Sequence, residues 1–183
     1  MSKKIAFIPG WMYSAKYCKL GVGINVWKEN IDFSLLTEYE YLVGHSMGAA
    51  VALKIWSSDK NKKLILVNPF IEQKSIWQTF ISWCKFIYQE GISSERFLGL
   101  KYLLQNLKKL FKFPEENYWE ILKEIPRENI KILHGEKDLF LCNNGICLKF
   151  KELGLDVIDI PEAGHDWHKN FDDTVVKIIN SKK

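Results

Sequence analysis

Short apolar runs alternate along this chain with longer stretches whose apolar residues return every three to four positions, and glycine, proline or polar clusters separate the two kinds. The short runs read as strands buried on both faces, the longer stretches as amphipathic helices. The pattern predicts strands at Lys4–Pro9, Glu40–Val43, Lys63–Val67, Ile130–Leu133 and Leu155–Ile160, with a short strand at Ile24–Trp27 in a variable stretch. Helices are predicted at Met47–Ser57, around Gly145–Leu153 and at Asn170–Asn180. Such alternation implies an α/β fold with a mostly parallel sheet and helices on both faces. Sites in sheets of this kind lie at the C-terminal ends of the strands.

Between Pro69 and Pro126 the pattern is helical alone, which gives a helical lid insertion over 70–126 within a single domain spanning 1–183. From Ser75 to Tyr88, Ile76, Trp77, Phe80, Ile81, Trp83, Cys84, Ile87 and Tyr88 form a wide apolar arc that Gly91 ends. An arc this wide either packs on two neighbours or also walls a pocket for an apolar acyl chain. Pro114, Glu115 and Glu116 read as the first turn of a further helix. Between these two, Leu100, Leu103, Leu104, Leu107 and Phe111 form a buried stripe flanked by Lys101, Lys108 and Lys112. That basic flank is either a solvated face or a landing surface for an acidic carrier protein.

One segment carries chemistry. Gly44-His45-Ser46-Met47-Gly48 joins the apolar run ending at Val43 to the helix that begins at Met47. Strand, sharp turn and helix with serine at the turn make a nucleophile elbow, and the small residues two positions either side avoid collisions with neighbouring backbone. The helix N-terminus then faces the oxygen that gains charge during acyl transfer.

Two further loops supply partners. Asp138, in the loop that follows Ile130–Leu133, can accept an imidazole N–H and hold its tautomer; Glu136 is the nearest rival, set closer to the strand end. His165, delivered by the break at Pro161–Gly164, has the residue type whose pKa lets it take a serine proton and return it. His168 is the alternative base, and His45 inside the elbow is read as a packing residue. The backbone N–H groups of Met47 and Trp11 are the expected oxyanion donors, with Gly10 allowing the turn after the first strand.

At 183 residues and 47% hydrophobic content the chain can bury one core. No apolar run approaches the ~20 residues of a membrane span, and the N-terminal stretch lacks a secretory pattern, so no membrane insertion and a cytoplasmic location are expected. Cys18, Cys84, Cys142 and Cys147 contain no C-x-x-C pair, which fits reduced thiols and no metal site; Cys142 is expected to be the most exposed of them. A net charge of +4 does not call for nucleic acid, and the lack of a phosphate loop or metal cluster leaves no cofactor expected.

Taken together, the elbow, the Asp and His loops in that order, and the helical insertion resemble the α/β-hydrolase superfamily over essentially the whole chain. The chain is short for that superfamily, and its first predicted strand already leads into the oxyanion loop, where Pro9-Gly10 stands in place of the frequent His-Gly. Pro9-Gly10-Trp11, Gly44-His45-Ser46-Met47-Gly48 and Ala163-Gly164-His165 look like the pimeloyl-acyl-carrier-protein methyl ester esterases of biotin synthesis in their compact bacterial form. The resemblance implies a serine carboxylesterase acting on an acyl ester carried by an acidic protein. A thioesterase or broad small-ester hydrolase is the alternative within the class, and a non-catalytic binding protein the alternative outside it.

Overall fold

The predicted alternation closes into one sheet. The computed structural model describes residues 4–28, 36–72, 75–91, 97–99, 101–102, 106 and 117–181. Its strands are β1 (Ile5–Ile8), β2 (Val22–Gly23), β3 (Tyr41–His45), β4 (Lys63–Val67), β5 (Ile130–Gly135) and β6 (Val157–Ile160). They stand in the order β2-β1-β3-β4-β5-β6, and every pairing is parallel. Parallel neighbours require crossover connections, which here are largely helical. All strand C-termini therefore meet at one edge.

The period of two along each strand divides the core in two. Ala6, Ile8, Leu42, Leu64, Leu66, Ile130 and Ile132 face the side covered by α1 (Met47–Ser58), α3 (Tyr118–Glu124) and α4 (Asn144–Glu152). Phe7, Tyr41, Val43, Ile65, Val67 and Leu133 face the other side, where α5 (Lys169–Ser181) packs Phe171, Val175 and Ile179 against them. Those three lie one turn apart along α5, so a single stripe holds the helix. Burying each stabilises it by about 1.5–3 kcal/mol.

The inserted helical region contains α2 (Ile76–Glu90) as well as α3. A reciprocal cap starts α2: the Gln78 N–H donates to Ser75 Oγ at 3.2 Å, and the Ser75 N–H donates to Gln78 Oε1 at 3.0 Å. Gly91, at a φ of +77°, ends it. Among the described residues no helix is long and apolar enough to cross a membrane.

Several expectations need correction. The strand expected at Ile24–Trp27 lies at Val22–Gly23 instead. The Ile24 N–H still reaches Phe7 O at 2.8 Å, but the chain then turns at Asn25, whose Oδ1 is taken by the Ala15 N–H at 2.9 Å. Of the apolar arc on α2, Trp77, Phe80, Ile81, Cys84 and Tyr88 are exposed, while Phe86, which the arc omitted, is the buried contact. Cys142 is fully buried and Cys84 is the exposed thiol. The loop carrying Cys142 folds inward because its amides bind Asp138. The helix start at Pro114 and the basic positions Lys108 and Lys112 lie outside the described residues.

Candidate active site

Strand β3 ends in the elbow, and the elbow is strained. Ser46 has φ 53° and ψ −124°, a conformation that side-chain-bearing residues rarely hold and that costs about 1–3 kcal/mol. Surrounding backbone fixes it: the Ser46 N–H donates to Val67 O at 2.9 Å, and Ser46 O accepts from Phe70 N–H at 3.2 Å. Both flanking glycines are required by space. A Cβ on Gly44 would lie 2.7 Å from the Ala49 Cα, and one on Gly48 would lie 2.3 Å from Ile8 O. The first would strike α1 and the second β1. The elbow thus stands where the chain reverses direction across the sheet, between β1 and β3.

Three of the expected side chains meet here. Ser46 Oγ–H donates to His165 Nε2 at 2.8 Å, and His165 Nδ1–H donates to Asp138 Oδ2 at 2.5 Å. Asp138 and His165 are buried. Asp138 also accepts from the Leu141 N–H at 3.1 Å and the Cys142 N–H at 3.0 Å. Burial works against its charge, but His165 and these amides outweigh burial and hold its pKa below the usual aspartate value. Burial likewise works against a charged His165, and the Asp138 carboxylate overcomes it, so the imidazole pKa is raised. Glu136 and His168 are both exposed, and the His168 ring accepts from the Asn170 N–H at 3.2 Å.

His45 packs beside the turn, as expected, and also ties three loops together. The Gly10 N–H donates to Tyr17 Oη at 3.4 Å, Tyr17 O–H donates to His45 Nδ1 at 2.9 Å, and His45 Nε2–H donates to His165 O at 2.9 Å. This uses a neutral ring. Burial and the neighbouring His165 lower its pKa to about 4, so it stays neutral at ordinary pH.

Two site residues were not visible in the sequence. Asn68, fully buried at the end of β4, donates from Nδ2 to Gly164 O at 2.7 Å and to His165 O at 3.0 Å, and its Oδ1 accepts from the Gly135 N–H at 2.7 Å. It therefore joins the loop that bears the acid to the loop that bears the base. The signal available was an asparagine directly after a strand, the residue type that tolerates its φ of 43°. Glu90, the last residue of α2, accepts from the His165 N–H at 2.7 Å and the Asp166 N–H at 2.9 Å. Gly164 makes room for it, since a Cβ there would lie 2.5 Å from the Glu90 carboxylate. No sequence pattern pointed to Glu90.

Aromatic rings pack beside the base and beside Trp11. The Phe86 ring lies 5.2 Å from the His165 ring, edge to face, and Trp83 lies 5.6 Å from Trp11. Lys101 is exposed beside Tyr102. Among the described residues no group of three His, Cys, Asp or Glu side chains could hold a metal ion.

No protein-family model matches this chain, and no curated protein does. Solved structures do. A monoacylglycerol lipase from Paleococcus ferrophilus has 16% identity and a TM-score of 0.59, over 98% of this chain and 94% of that one. The α/β-hydrolase enzyme MGS-MChE2, from a metagenome of Mar Chica lagoon sediments, has 14% identity and a TM-score of 0.62, over 100% of this chain and 92% of that one. An E-2-(acetamidomethylene)succinate hydrolase has 10% identity and a TM-score of 0.63, over 96% of this chain and 88% of that one. At such identities what is shared is architecture, and with the all-parallel sheet, the strained serine turn and the inserted helices it makes this chain a compact α/β-hydrolase fold bearing a serine-hydrolase triad arrangement.

Proposed function

We propose that the protein is a serine carboxylesterase with Ser46 as nucleophile, His165 as general base and acid, and Asp138 as the group that orients and stabilises the imidazolium. The observation that carries this reading is the continuous hydrogen-bond relay from Ser46 through His165 to a buried Asp138, built on a strained turn at the open edge of the sheet. Ser46 Oγ attacks the ester carbonyl as its proton passes to His165 Nε2, and the tetrahedral oxyanion collapses as His165 returns that proton to the leaving alcohol. Water then repeats the sequence on the acyl enzyme. The amides of Met47 and Trp11 serve as the oxyanion donors. A Cβ built on Gly10 would lie 3.1 Å from the Ser46 Cβ, so the loop bearing Trp11 runs alongside the nucleophile.

The finer reading is a pimeloyl-acyl-carrier-protein methyl ester as substrate, with residues 70–126 as a lid. Its support is the likeness of three short motifs, the Phe86 ring beside the base and Trp83 beside Trp11, and the basic flank of Lys101, Lys108 and Lys112. A fluorophosphonate probe is expected to label the protein once, and Ser46→Ala to abolish labelling in a folded chain. Labelling that survives the substitution removes Ser46 from the chemistry. Replacing all three lysines by glutamine is expected to raise KM for the carrier-bound methyl ester about tenfold at low salt and to leave p-nitrophenyl acetate hydrolysis unchanged. Equal handling of both substrates by parent and variant favours the broad small-ester reading, and preferential turnover of a carrier-bound thioester favours a thioesterase.

A further inference from the structure

A second cluster of reactive side chains lies away from Ser46, around a cavity of about 370 Å³ lined by His134, Glu136, Asn144, Cys147, Lys151 and Asp159, among others. Its parts form a sequence. Asp159 Oδ1 accepts from His134 Nδ1–H at 2.8 Å, which directs the opposite nitrogen of that buried ring, Nε2, away from Asp159. Among the described residues Nε2 has no hydrogen-bond partner, and Cys147 lines the same cavity as this ring. Lys151 reaches the other Asp159 oxygen at 3.5 Å and leaves Oδ1 to the histidine. An imidazole oriented by a carboxylate and facing a sulfur at a cavity wall is the arrangement that activates a thiol.

A second thiol stands beside the first. Asn143 caps α4, its Oδ1 accepting from the Ile146 N–H at 3.2 Å, so Cys142 and Cys147 occupy the positions just before the cap and four residues into the helix. Side chains at those two positions pack against each other across a helix start. Both cysteines are reduced. The neighbouring Cys142 thiol and His134 outweigh burial and draw the Cys147 pKa down to about 6. Burial disfavours charge on His134, but Cys147 and Asp159 prevail and lift its pKa to about 9. Both shifts run toward the thiolate–imidazolium form of the pair. The other charged groups facing it are Glu136 and Lys151 at the cavity and Asp138 in the loop after β5.

We propose that Cys147 is a second reactive centre, a hydroperoxide-sensitive thiol for which His134 is the proton donor, Asp159 the orienting carboxylate and Cys142 the resolving thiol. The Cys147 thiolate attacks the outer oxygen of a hydroperoxide and the O–O bond breaks. The alkoxide or hydroxide takes the His134 Nε2 proton and leaves as alcohol or water, and sulfur is oxidised to a sulfenic acid by two electrons. Cys142 then attacks that sulfur. The S–O bond breaks, the thiol proton leaves with the hydroxide as water, and a Cys142–Cys147 disulfide remains.

The remaining cysteines act as internal standards. Cys84 is exposed on α2, and Cys18 is buried with its thiol pushed up to about 12 by burial. Alkylation of the intact protein by iodoacetamide, followed residue by residue across pH, is expected to show a Cys147 midpoint near 6. The midpoint is the right readout because restricted access to the cavity slows alkylation at every pH and leaves the midpoint alone. It is read on the unaltered chain, so it does not depend on a variant folding. Equimolar hydrogen peroxide at pH 6.5 should yield a Cys142–Cys147 disulfide in peptide maps before Cys84 is oxidised. Cys142→Ser should instead give a dimedone adduct at Cys147, and His134→Gln should raise the alkylation midpoint by at least one pH unit. A Cys147 midpoint at the ordinary thiol value of about 8.5, or peroxide oxidation confined to Cys84, overturns the proposal.

Discussion

Removing the Asn68 side chain tests whether the two loops of the triad are held by one residue. In Asn68→Ala, Gly135 N–H and Gly164 O each lose a buried partner, whereas His165 O keeps the bond from His45 Nε2–H. An orphaned buried group costs about 1–3 kcal/mol, and alanine in the left-handed region adds about 1 kcal/mol. The expected loss is then about 3–7 kcal/mol, a large part of the 5–15 kcal/mol typical of a domain. Urea unfolding followed by tryptophan fluorescence measures it, and in thermal unfolding Tm is expected to fall by roughly 6–28 °C for a chain of this size. kcat/KM for p-nitrophenyl butyrate should also fall by about ten- to a hundredfold, because a small displacement of His165 spoils the approach geometry. Asn68→Asp separates charge from packing. One new carboxylate oxygen would face the carbonyls of Gly164 and His165, so the folded state favours the protonated acid and raises its pKa above the unfolded ~3.9. The folded chain then binds more protons than the unfolded one between these values, and stability must fall as pH rises through them. Unfolding of Asn68→Ala within 1 kcal/mol of the parent, with unchanged kcat/KM, would refute the argument.

Further outcomes follow from the site and the glycines near it. kcat/KM should decline as pH drops through a midpoint above 6.5, because Asp138, Glu90 and Asp166 together outweigh burial of His165 and the protonated ring cannot accept the serine proton. Glu90→Gln should move that midpoint downward and leave the high-pH plateau within a fewfold of the parent; an unmoved midpoint in a pH–rate series would exclude Glu90 from the electrostatics of the base. Gly48→Ala should abolish activity or soluble expression, since its Cβ would lie 2.3 Å from Ile8 O. Gly91→Ala, where a Cβ meets nothing within 4 Å and only the φ of +77° is strained, should cost about 1 kcal/mol in thermal unfolding with no change in rate.

What the sequence disclosed and what it hid differ in the range over which the physics acts. The strand bounds at Lys63–Val67, the elbow around Ser46, and the preference for Asp138 over Glu136 and for His165 over His168 all rest on neighbours within a few residues. Periodicity, turn chemistry and strand-end position report such information directly. Asn68 and Glu90 act on backbone 67 to 97 positions away, and nothing local distinguishes them from an ordinary loop amide or helix-end acid. Cys142 shows the same limit from the opposite direction. As a loop residue it was expected at the surface, but its amide donates to Asp138 and its side chain packs at the start of α4, so satisfying one buried carboxylate carried a loop into the core. The interior placement that results brings Cys142 to Cys147, and β5 and β6 bring His134 to Asp159 through parallel register, in which the two are directly paired. A cluster made by register and capping has no sequence motif of its own. It becomes visible only when the fold has set each strand beside its neighbour.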